Sequence, residues 1–319
     1  MNPETGLPLL SIVVPVFSEA SNIEPLIEAI NESLFIIKTE FELIFVDDGS
    51  LDNTWEKIAH CSSLSQNIRG VRFSRNFGKE YAIYAGLALA RGDAVITIDG
   101  DLQHPPEMIP VMYDLWKNKG FDIVDAIKRT RQKETVLGKL SANLFYKTFF
   151  QLSGLEISNA TDFKLLDRRV VDVLLQLKET NRFYRGLTSW IGFTHAAIEI
   201  KIADRLLGQT KWSFSKLLLY AFNNLLDYSI RPLALIGFMG VAFFTLSIVI
   251  AAISIIRMFS GTSLEGFPTV IFLQLLIGGI IIAAICLVGI YIGKLINEVK
   301  QRPHYIIKDQ VNFTDPIKD

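Results

Sequence analysis

The sequence predicts an α/β domain built on a mostly parallel sheet, followed by an amphipathic helix at a membrane interface and then two transmembrane helices. Three observations carry that prediction. Through residues 1–210, short β-rich apolar runs alternate with longer helical patterns. Three of the runs break off into Pro-Val-Phe-Ser-Glu at 15–19, Asp-Asp-Gly-Ser at 47–50 and Asp-Gly-Asp at 99–101. Half of the 319 residues are hydrophobic, an excess over a typical soluble chain that must be gathered somewhere, and it is gathered towards the C-terminal end.

Residues 9–14, 41–46, 71–73, 94–98 and 121–127 read as strands. Helical patterns lie between them. Ser21 opens an S-x-x-E capping box with Glu24, Ser50 or Asp52 can cap the next helix, and residues 79–91 form an Ala/Leu-rich helix closed by Gly92. Strands alternating with helices argue for a parallel sheet covered on both faces. In such folds ligands gather at the carboxyl ends of the strands.

The hydrophobic excess lies in two runs. Residues 232–259 contain a single charge, Arg257, and residues 268–292 contain none. Each run exceeds the roughly 20 residues a helix needs to cross about 30 Å of hydrocarbon. A short Ser/Gly-rich turn at 260–267, with Glu265 as its one charge, makes the pair a hairpin. Lys211, Lys216 and Arg231 precede the pair and Lys294, Lys300, Arg302 and Lys308 follow it, so the positive-inside rule puts both termini in the cytoplasm. The expected organisation is a cytoplasmic domain at 1–210, an interfacial helix at 211–231, a transmembrane hairpin at 232–296 and a cytoplasmic tail at 297–319. The opening residues lack a charged segment followed by an apolar one, as expected of a domain that is not exported. Cys61 and Cys286 have no metal-ligand spacing and read as free thiols of a reducing compartment. A net charge of −1 gives a nucleic-acid partner no support.

The unusual residues fall at the strand ends. Asp99 and Asp101 follow an apolar strand at a spacing of two, which sends both carboxylates to one side of an extended backbone, and Gly100 between them permits a close approach. Mg²⁺ commonly takes one or two carboxylates and completes its shell with water and phosphate oxygens, so this D-x-D suits a diphosphate-metal clamp, the alternative being a polar turn. Asp47 and Asp48 before Gly49-Ser50 form either a turn and helix cap or a carboxylate site for a uracil N–H or a ribose hydroxyl. Pro15, Phe17 and Glu19 end the neighbouring strand and could wall the same base pocket. Arg75, Gly78 and Lys79 stand at a helix start, where backbone N–H groups and a cation suit a nucleotide; a solvated loop is the other reading. Neither G-x-G-x-x-G nor G-x-x-x-x-G-K-[ST] occurs.

Two basic sets complete the candidates. Lys128, Arg129, Arg131, Lys133 and Lys139 stand against one acid, Glu134, and form either a solvated face or a contact for a lipid phosphate. Arg205-x-x-Gly208-x-x-Lys211 precedes residues 213–230, where Phe214, Leu217, Leu218, Phe222 and Leu225 recur at the spacing of an interfacial helix. Residues 140–150 form another aromatic amphipathic stretch, core or membrane contact. Asp162 has no neighbour that marks it as functional, and a helix cap is its default role.

Val-Pro-Val-Phe-Ser-Glu, Val-Asp-Asp-Gly-Ser, Arg-Asn-Phe-Gly-Lys, Asp-Gly-Asp-Leu-Gln-His-Pro-Pro and Thr-Asp-Phe-Lys-Leu-Leu-Asp-Arg together resemble the inverting polyprenyl-phosphate glycosyltransferases of family two. The two apolar runs are similar to those of the bacterial bactoprenol glucosyltransferase branch. The resemblance spans about residues 10–297. It implies a GT-A, Rossmann-like fold, a nucleotide diphosphate-sugar donor such as UDP-glucose, and polyprenyl (undecaprenyl) phosphate as acceptor. It also implies Mg²⁺ or Mn²⁺ at Asp101, with Asp99 and Gln103 nearby, and Asp162 as a base or an acceptor-orienting carboxylate. Arg205 and Lys211 are expected to face the substrate phosphates. Relatives carry Val-Arg where this chain has Ile127-Lys128, so Arg129 can take that cation's place. A bacterial cytoplasmic-membrane location and a homo-oligomer, a tetramer, are further implications. A processive polysaccharide synthase is the competing enzyme reading, but this chain has neither a Gln-x-x-Arg-Trp segment nor an N-terminal span. A non-catalytic scaffold would not need Asp99, Asp101, Arg205 and Lys211 together.

Overall fold

The computed structural model describes residues 8–37, 39–128, 160–177, 179, 182–200, 231–259, 267–300 and 302–313. They fall into two compact units, Met1–Lys211 with Arg302–Asp319, and Trp212–Gln301.

The first unit is a sheet with helices on its faces. Its elements are β1 (Leu9–Val16), α1 (Ile23–Ile37), β2 (Glu40–Asp47), α2 (Thr54–Leu64), β3 (Ile68–Phe73), α3 (Lys79–Leu89), β4 (Ala94–Thr97), a 3₁₀ turn (Pro106–Met108) and α4 (Ile109–Lys117). There follow β5 (Ile123–Lys128), β6 (Ala160–Asp167), α5 (Arg168–Gln176), α6 (Tyr184–Trp190), β7 (His195–Ile200) and, after the second unit, β8 (Ile307–Val311). The strand order is β7-β5-β6-β4-β1-β2-β3-β8. The neighbours β4-β1-β2-β3 run parallel, as do β5 and β7, while β6 and β8 run antiparallel to their neighbours. Leu10, Ile12, Val14, Leu43, Phe45 and Ile96 on the sheet meet Ile23, Leu26, Ile30 and Leu34 of α1 in one core, the spacing of a helix with one apolar stripe.

The predicted strands are present, and the differences from expectation have physical causes. Helix α1 begins at Ile23, and Ser21 stands in the turn before it, where the Asn22 amide bonds to the Glu19 carbonyl (2.9 Å). Asp162 caps no helix. It lies inside β6, while Asp167, five residues on, caps α5 by accepting from the Arg169 amide (2.9 Å). Strands β6 and β7 escape a reading by pattern because each carries charged residues whose compensation comes from distant partners. Lys164 of β6, for instance, pairs with Asp125 of β5. Strand β8 closes the far edge of the sheet, held by Asn312, whose Nδ2 donates to the carbonyls of Ser62, Ser65 and Ile68. Just before it, His304 and Tyr305 stack on Tyr81 and Phe73.

The second unit contains α7 (Arg231–Phe259, 29 residues) and α8 (Phe267–Lys300, 34 residues). Among the described residues one helix, not two, is long and apolar enough to cross a membrane: Leu276–Lys300, whose most apolar 18-residue window has a mean hydropathy of 2.6. The described apolar stretch of α7 is shorter, Ile236–Ile250. The predicted interfacial helix at 213–230, the stretch 140–150 and the turn at 260–266 lie outside the described residues, as do Arg129, Arg131, Lys133, Lys139, Arg205 and Lys211.

Candidate active site at the strand ends

The carboxyl ends of β1, β2 and β4 lie side by side because these strands are adjacent and parallel, with Val16 paired to Asp47 and Val13 to Thr97. The predicted segments therefore converge. Gly100 is needed where it stands, since a Cβ there would come within 2.6 Å of the Val16 side chain. Asp101 accepts the Gln103 amide (3.1 Å), which closes the loop carrying the D-x-D, and Leu102 takes a positive φ of 57° within it.

Asp48 is buried, and both its oxygens are engaged: Oδ1 accepts the Phe77 amide (2.7 Å) and Oδ2 the Gly78 amide (2.9 Å). It therefore shapes the loop holding Arg75, Gly78 and Lys79 rather than standing open towards a base. Gly49 allows that loop to approach, since its φ is 71° and a Cβ would lie 2.5 Å from the Arg75 backbone. Asp47, also buried, accepts the Ser50 amide at 2.9 Å through Oδ1. Its Oδ2 makes no hydrogen bond and lies 3.5 Å from the Arg72 guanidinium. Burial raises both carboxyl pKa values despite these partners. Phe17 is 44% exposed beside this loop system, following Pro15 at the end of β1. Ser18 takes a positive φ, its amide bonds to Ser50 Oγ (2.8 Å), and the Glu19 amide bonds to Thr54 Oγ1 (2.9 Å).

The densest charge lies between α3, β4, β6 and α6. The Lys79 ammonium bridges Asp99 Oδ1 and Asp162 Oδ2, each at 2.6 Å. Asp162 also accepts from Arg185 Nε (2.6 Å) and Nη2 (2.9 Å). Burial opposes ionisation of Asp162, but Lys79 and Arg185 outweigh it and hold the carboxyl well below the usual range. Lys79 and Arg185 are shifted upwards in turn, burial working against the charges of Asp99 and Asp162. Glu80 is pushed up to about 7 by burial and by the Asp162 charge, and it accepts the Tyr184 amide (3.0 Å). His104 is buried 3.5 Å from Asp99 Oδ2, and its pKa is lowered chiefly by that burial. Lys128 ends β5.

Sequence reasoning missed Arg185, Glu80 and Tyr184. The available signal for Arg185 and Tyr184 was Asn-Arg-Phe-Tyr-Arg-Gly at 181–186, two arginines around two aromatics. Its partner Asp162 lies 23 residues away, beyond the reach of any local pattern.

Among the described residues no three acidic, histidine or cysteine side chains cluster as a metal cage. Asp99 and Asp101 alone would hold a divalent cation, which suits an ion that takes its remaining ligands from a bound phosphate. That an ammonium already sits on Asp99 shows that the position attracts positive charge.

A family model described as glycosyl transferase family 2 matches residues 11–175. The chain is 37% identical over 302 residues to a glycosyltransferase of Synechocystis sp., covering 94% of this chain and 95% of the relative. It is 36% identical over 302 residues to the SfII prophage-derived bactoprenol glucosyl transferase of Shigella flexneri, covering 94% and 97%. Among solved structures, glucosyl-3-phosphoglycerate synthase from Mycobacterium tuberculosis gives a partial likeness, with a TM-score of 0.44, 20% identity, and 69% of this chain and 77% of that chain covered. With the family model over half the chain and bactoprenol glucosyl transferases among its full-length homologues, the chain belongs to glycosyl transferase family 2 and is a glycosyltransferase with a GT-A, mostly parallel sheet.

Proposed function

We propose that this enzyme transfers a hexose, glucose foremost, from UDP-glucose to polyprenyl phosphate with inversion at the anomeric carbon. The observation that carries this reading is the alternation of carboxylates and cations, Asp99, Lys79, Asp162 and Arg185, at the strand ends where a donor and an acceptor would meet. The full-length likeness to bactoprenol glucosyl transferases favours the lipid acceptor.

Asp99 and Asp101, with Gln103 behind them, would hold Mg²⁺ or Mn²⁺, which when bound neutralises charge on the leaving diphosphate. The residues of the chain do the rest. Asp48, by accepting the amides of Phe77 and Gly78, fixes the loop that sets Lys79 for a nucleotide's phosphates. Pro15, Phe17, Glu19 and Asp47 border the space assigned to the base. An oxygen of the acceptor phosphate attacks the anomeric carbon, a new C–O bond forms, and the bond to UDP breaks with its electron pair leaving on the β-phosphate. A phosphate monoester, with a second pKa near 6, is already largely dianionic at neutral pH, so no proton needs removing. Bringing two anions together is the harder task, and cations around both phosphates accomplish it.

The same reading makes both α7 and α8 membrane spans. Each exceeds the roughly 20 residues required, and the flanking lysines and arginines favour a cytoplasmic catalytic unit. Residues 1–210 and 297–319 then lie on one side of a bacterial cytoplasmic membrane, with the turn at 260–266 on the other. Arg129, Arg131, Arg205 and Lys211 are assigned to phosphates at the membrane surface.

Detergent-purified protein incubated with Mg²⁺, undecaprenyl phosphate and radiolabelled UDP-glucose should give one labelled, solvent-extractable lipid. Label found in polymer would favour a processive synthase. No labelled lipid from any of a panel of nucleotide sugars would reject the proposal.

A further inference from the structure

We propose that Arg185 is the ligand that receives the acceptor's phosphate, and that Asp162 is a positioning residue holding Arg185 and Lys79 on either side of it rather than a base. The inference rests on the reading of polyprenyl phosphate as acceptor.

Three observations support it. The first is saturation of Asp162. Its side chain is 8% exposed, and its two oxygens receive three charge-assisted hydrogen bonds, one from Lys79 and two from Arg185. A carboxylate so occupied is poorly placed to take a proton, and the attack on the sugar does not call for one.

The second is an imbalance that arises once the donor site fills. With Lys79 shared between Asp99 and Asp162, two cations face two carboxylates. With Asp99 given over to a metal, Lys79 and Arg185 would be left facing Asp162 and Glu80, whose carboxyl burial keeps partly protonated, so positive charge would be in surplus beside the reacting centre. Two of the five guanidinium N–H groups of Arg185 are committed to Asp162, and 39% of its side chain is exposed. The planar fork of arginine is suited to a phosphate. Of the two cations, Lys79 touches Asp99 of the metal clamp, whereas Arg185 is linked to it through Asp162 and Lys79, which assigns Arg185 to the acceptor and Lys79 to the donor.

The third is rigidity. Arg185 rides on α6, whose first residue is tied to α3 through its amide and Glu80 (3.0 Å) and to β4 through its hydroxyl and Thr97 Oγ1 (3.0 Å). Thr97 Oγ1 in turn donates to the Asp162 carbonyl (2.5 Å). Arg185 is thus held at a fixed place relative to Lys79 and the D-x-D, as a preorganised phosphate ligand must be.

The test uses the full-length protein in detergent with Arg185→Ala, Arg185→Lys and Asp162→Asn. UDP binding in the presence of Mn²⁺ is measured by calorimetry, and initial rates are measured against undecaprenyl phosphate at saturating UDP-glucose. For Arg185→Ala, KM for the lipid should rise about ten- to a hundredfold, the range for loss of a charge-assisted hydrogen bond, while the UDP dissociation constant stays within twofold. Added guanidinium ion should restore part of the rate where equal sodium does not, which a merely structural loss would not allow. Arg185→Lys keeps a charge for Asp162 but not the fork, and should show the same shift in lipid KM at smaller size. Asp162→Asn should weaken both UDP binding and lipid use. Equal loss of UDP and lipid binding in the Arg185 variants would give the residue to the donor, and an unchanged lipid KM in Arg185→Lys would make it structural; either overturns the proposal. So would an Asp162→Asn enzyme whose only defect is a lower rate at saturating lipid, the mark of a base. A wild-type protein that transfers nothing to undecaprenyl phosphate would reject the functional reading itself.

Discussion

The two ends of the sheet both bury charge, and they do so in opposite ways. At the amino ends, Glu42 of β2 accepts from Ser11 Oγ and the Arg91 amide, each at 2.6 Å, and pairs through its other oxygen with Arg69 of β3. Ser11 receives the Gly92 amide (2.7 Å), and the Arg69 guanidinium lies 4.0 Å from the Phe313 ring centroid. Arg69 and Glu42 are 7% and 9% exposed, and their partners are neighbouring strands and loops. At the carboxyl ends, the cations on Asp99 and Asp162 are 43% and 39% exposed, while Asp47 Oδ2 and His104 Nδ1 are buried without a hydrogen bond. One end is a closed account of charge and the other is open. A buried pair complete in itself serves the fold, whereas carboxylates left to exposed cations are ready to exchange partners with a ligand.

This contrast can be broken most sharply at Asp101. Asp101→Asn, or addition of EDTA to the wild type, should lower turnover at least about a thousandfold, about 4 kcal/mol in activation free energy, with an unchanged circular dichroism spectrum. Full activity in EDTA would show that the open end holds no metal. The closed end should respond the other way. Glu42→Ala leaves Arg69 buried without its partner and should cost about 3–5 kcal/mol of stability, read from denaturant unfolding, while the fraction that remains folded binds UDP normally. A Glu42 variant as stable as wild type would remove the distinction.

Smaller effects sharpen the comparison. Asp48→Ala frees the amides of Phe77 and Gly78 and should weaken UDP binding by about 1.5–3 kcal/mol, roughly ten- to a hundredfold; unchanged calorimetry would detach that loop from the donor. Glu80 tests the open end through pH. Its folded pKa, about 7, lies above the ordinary 4.5, so the folded state keeps a proton that the unfolded chain has lost. Stability from this group is therefore lost as pH rises between about 4.5 and 7, by at most about 1.4 kcal/mol per pH unit, and levels off above. Glu80→Gln should remove that slope, seen as a smaller drop in Tm from pH 5 to pH 8 than in wild type. Identical drops would mean that Glu80 is charged throughout.

What could be read from the sequence was what depends on neighbours in the chain. Apolar runs marked β1, β2 and β4, and the abrupt change to Asp-Asp-Gly-Ser or Asp-Gly-Asp marked their ends. Parallel pairing then brings such ends together without further information. Arg185 and the setting of Asp162 were not legible, because Asp162 reaches Asp99 through Lys79, separated from it by 83 residues, and through an antiparallel strand inserted beside β4. Strand β8, Ile-Lys-Asp-Gln-Val, has too little apolar content to declare itself, and it exists because the edge of β3 offers it unpaired backbone groups.

That last strand also bears on how the protein is made. Residues 302–313 join a sheet whose other strands lie before residue 201, with both long apolar helices placed between them in the chain. A ribosome releases the first seven strands early, and the edge of β3 must wait, uncovered, until the helices have been synthesised. The order of translation thus sets an interval in which an open edge invites pairing with another chain. Synthesis of the helices and completion of the catalytic sheet become successive events, and agents that delay the first should prolong the exposure that precedes the second.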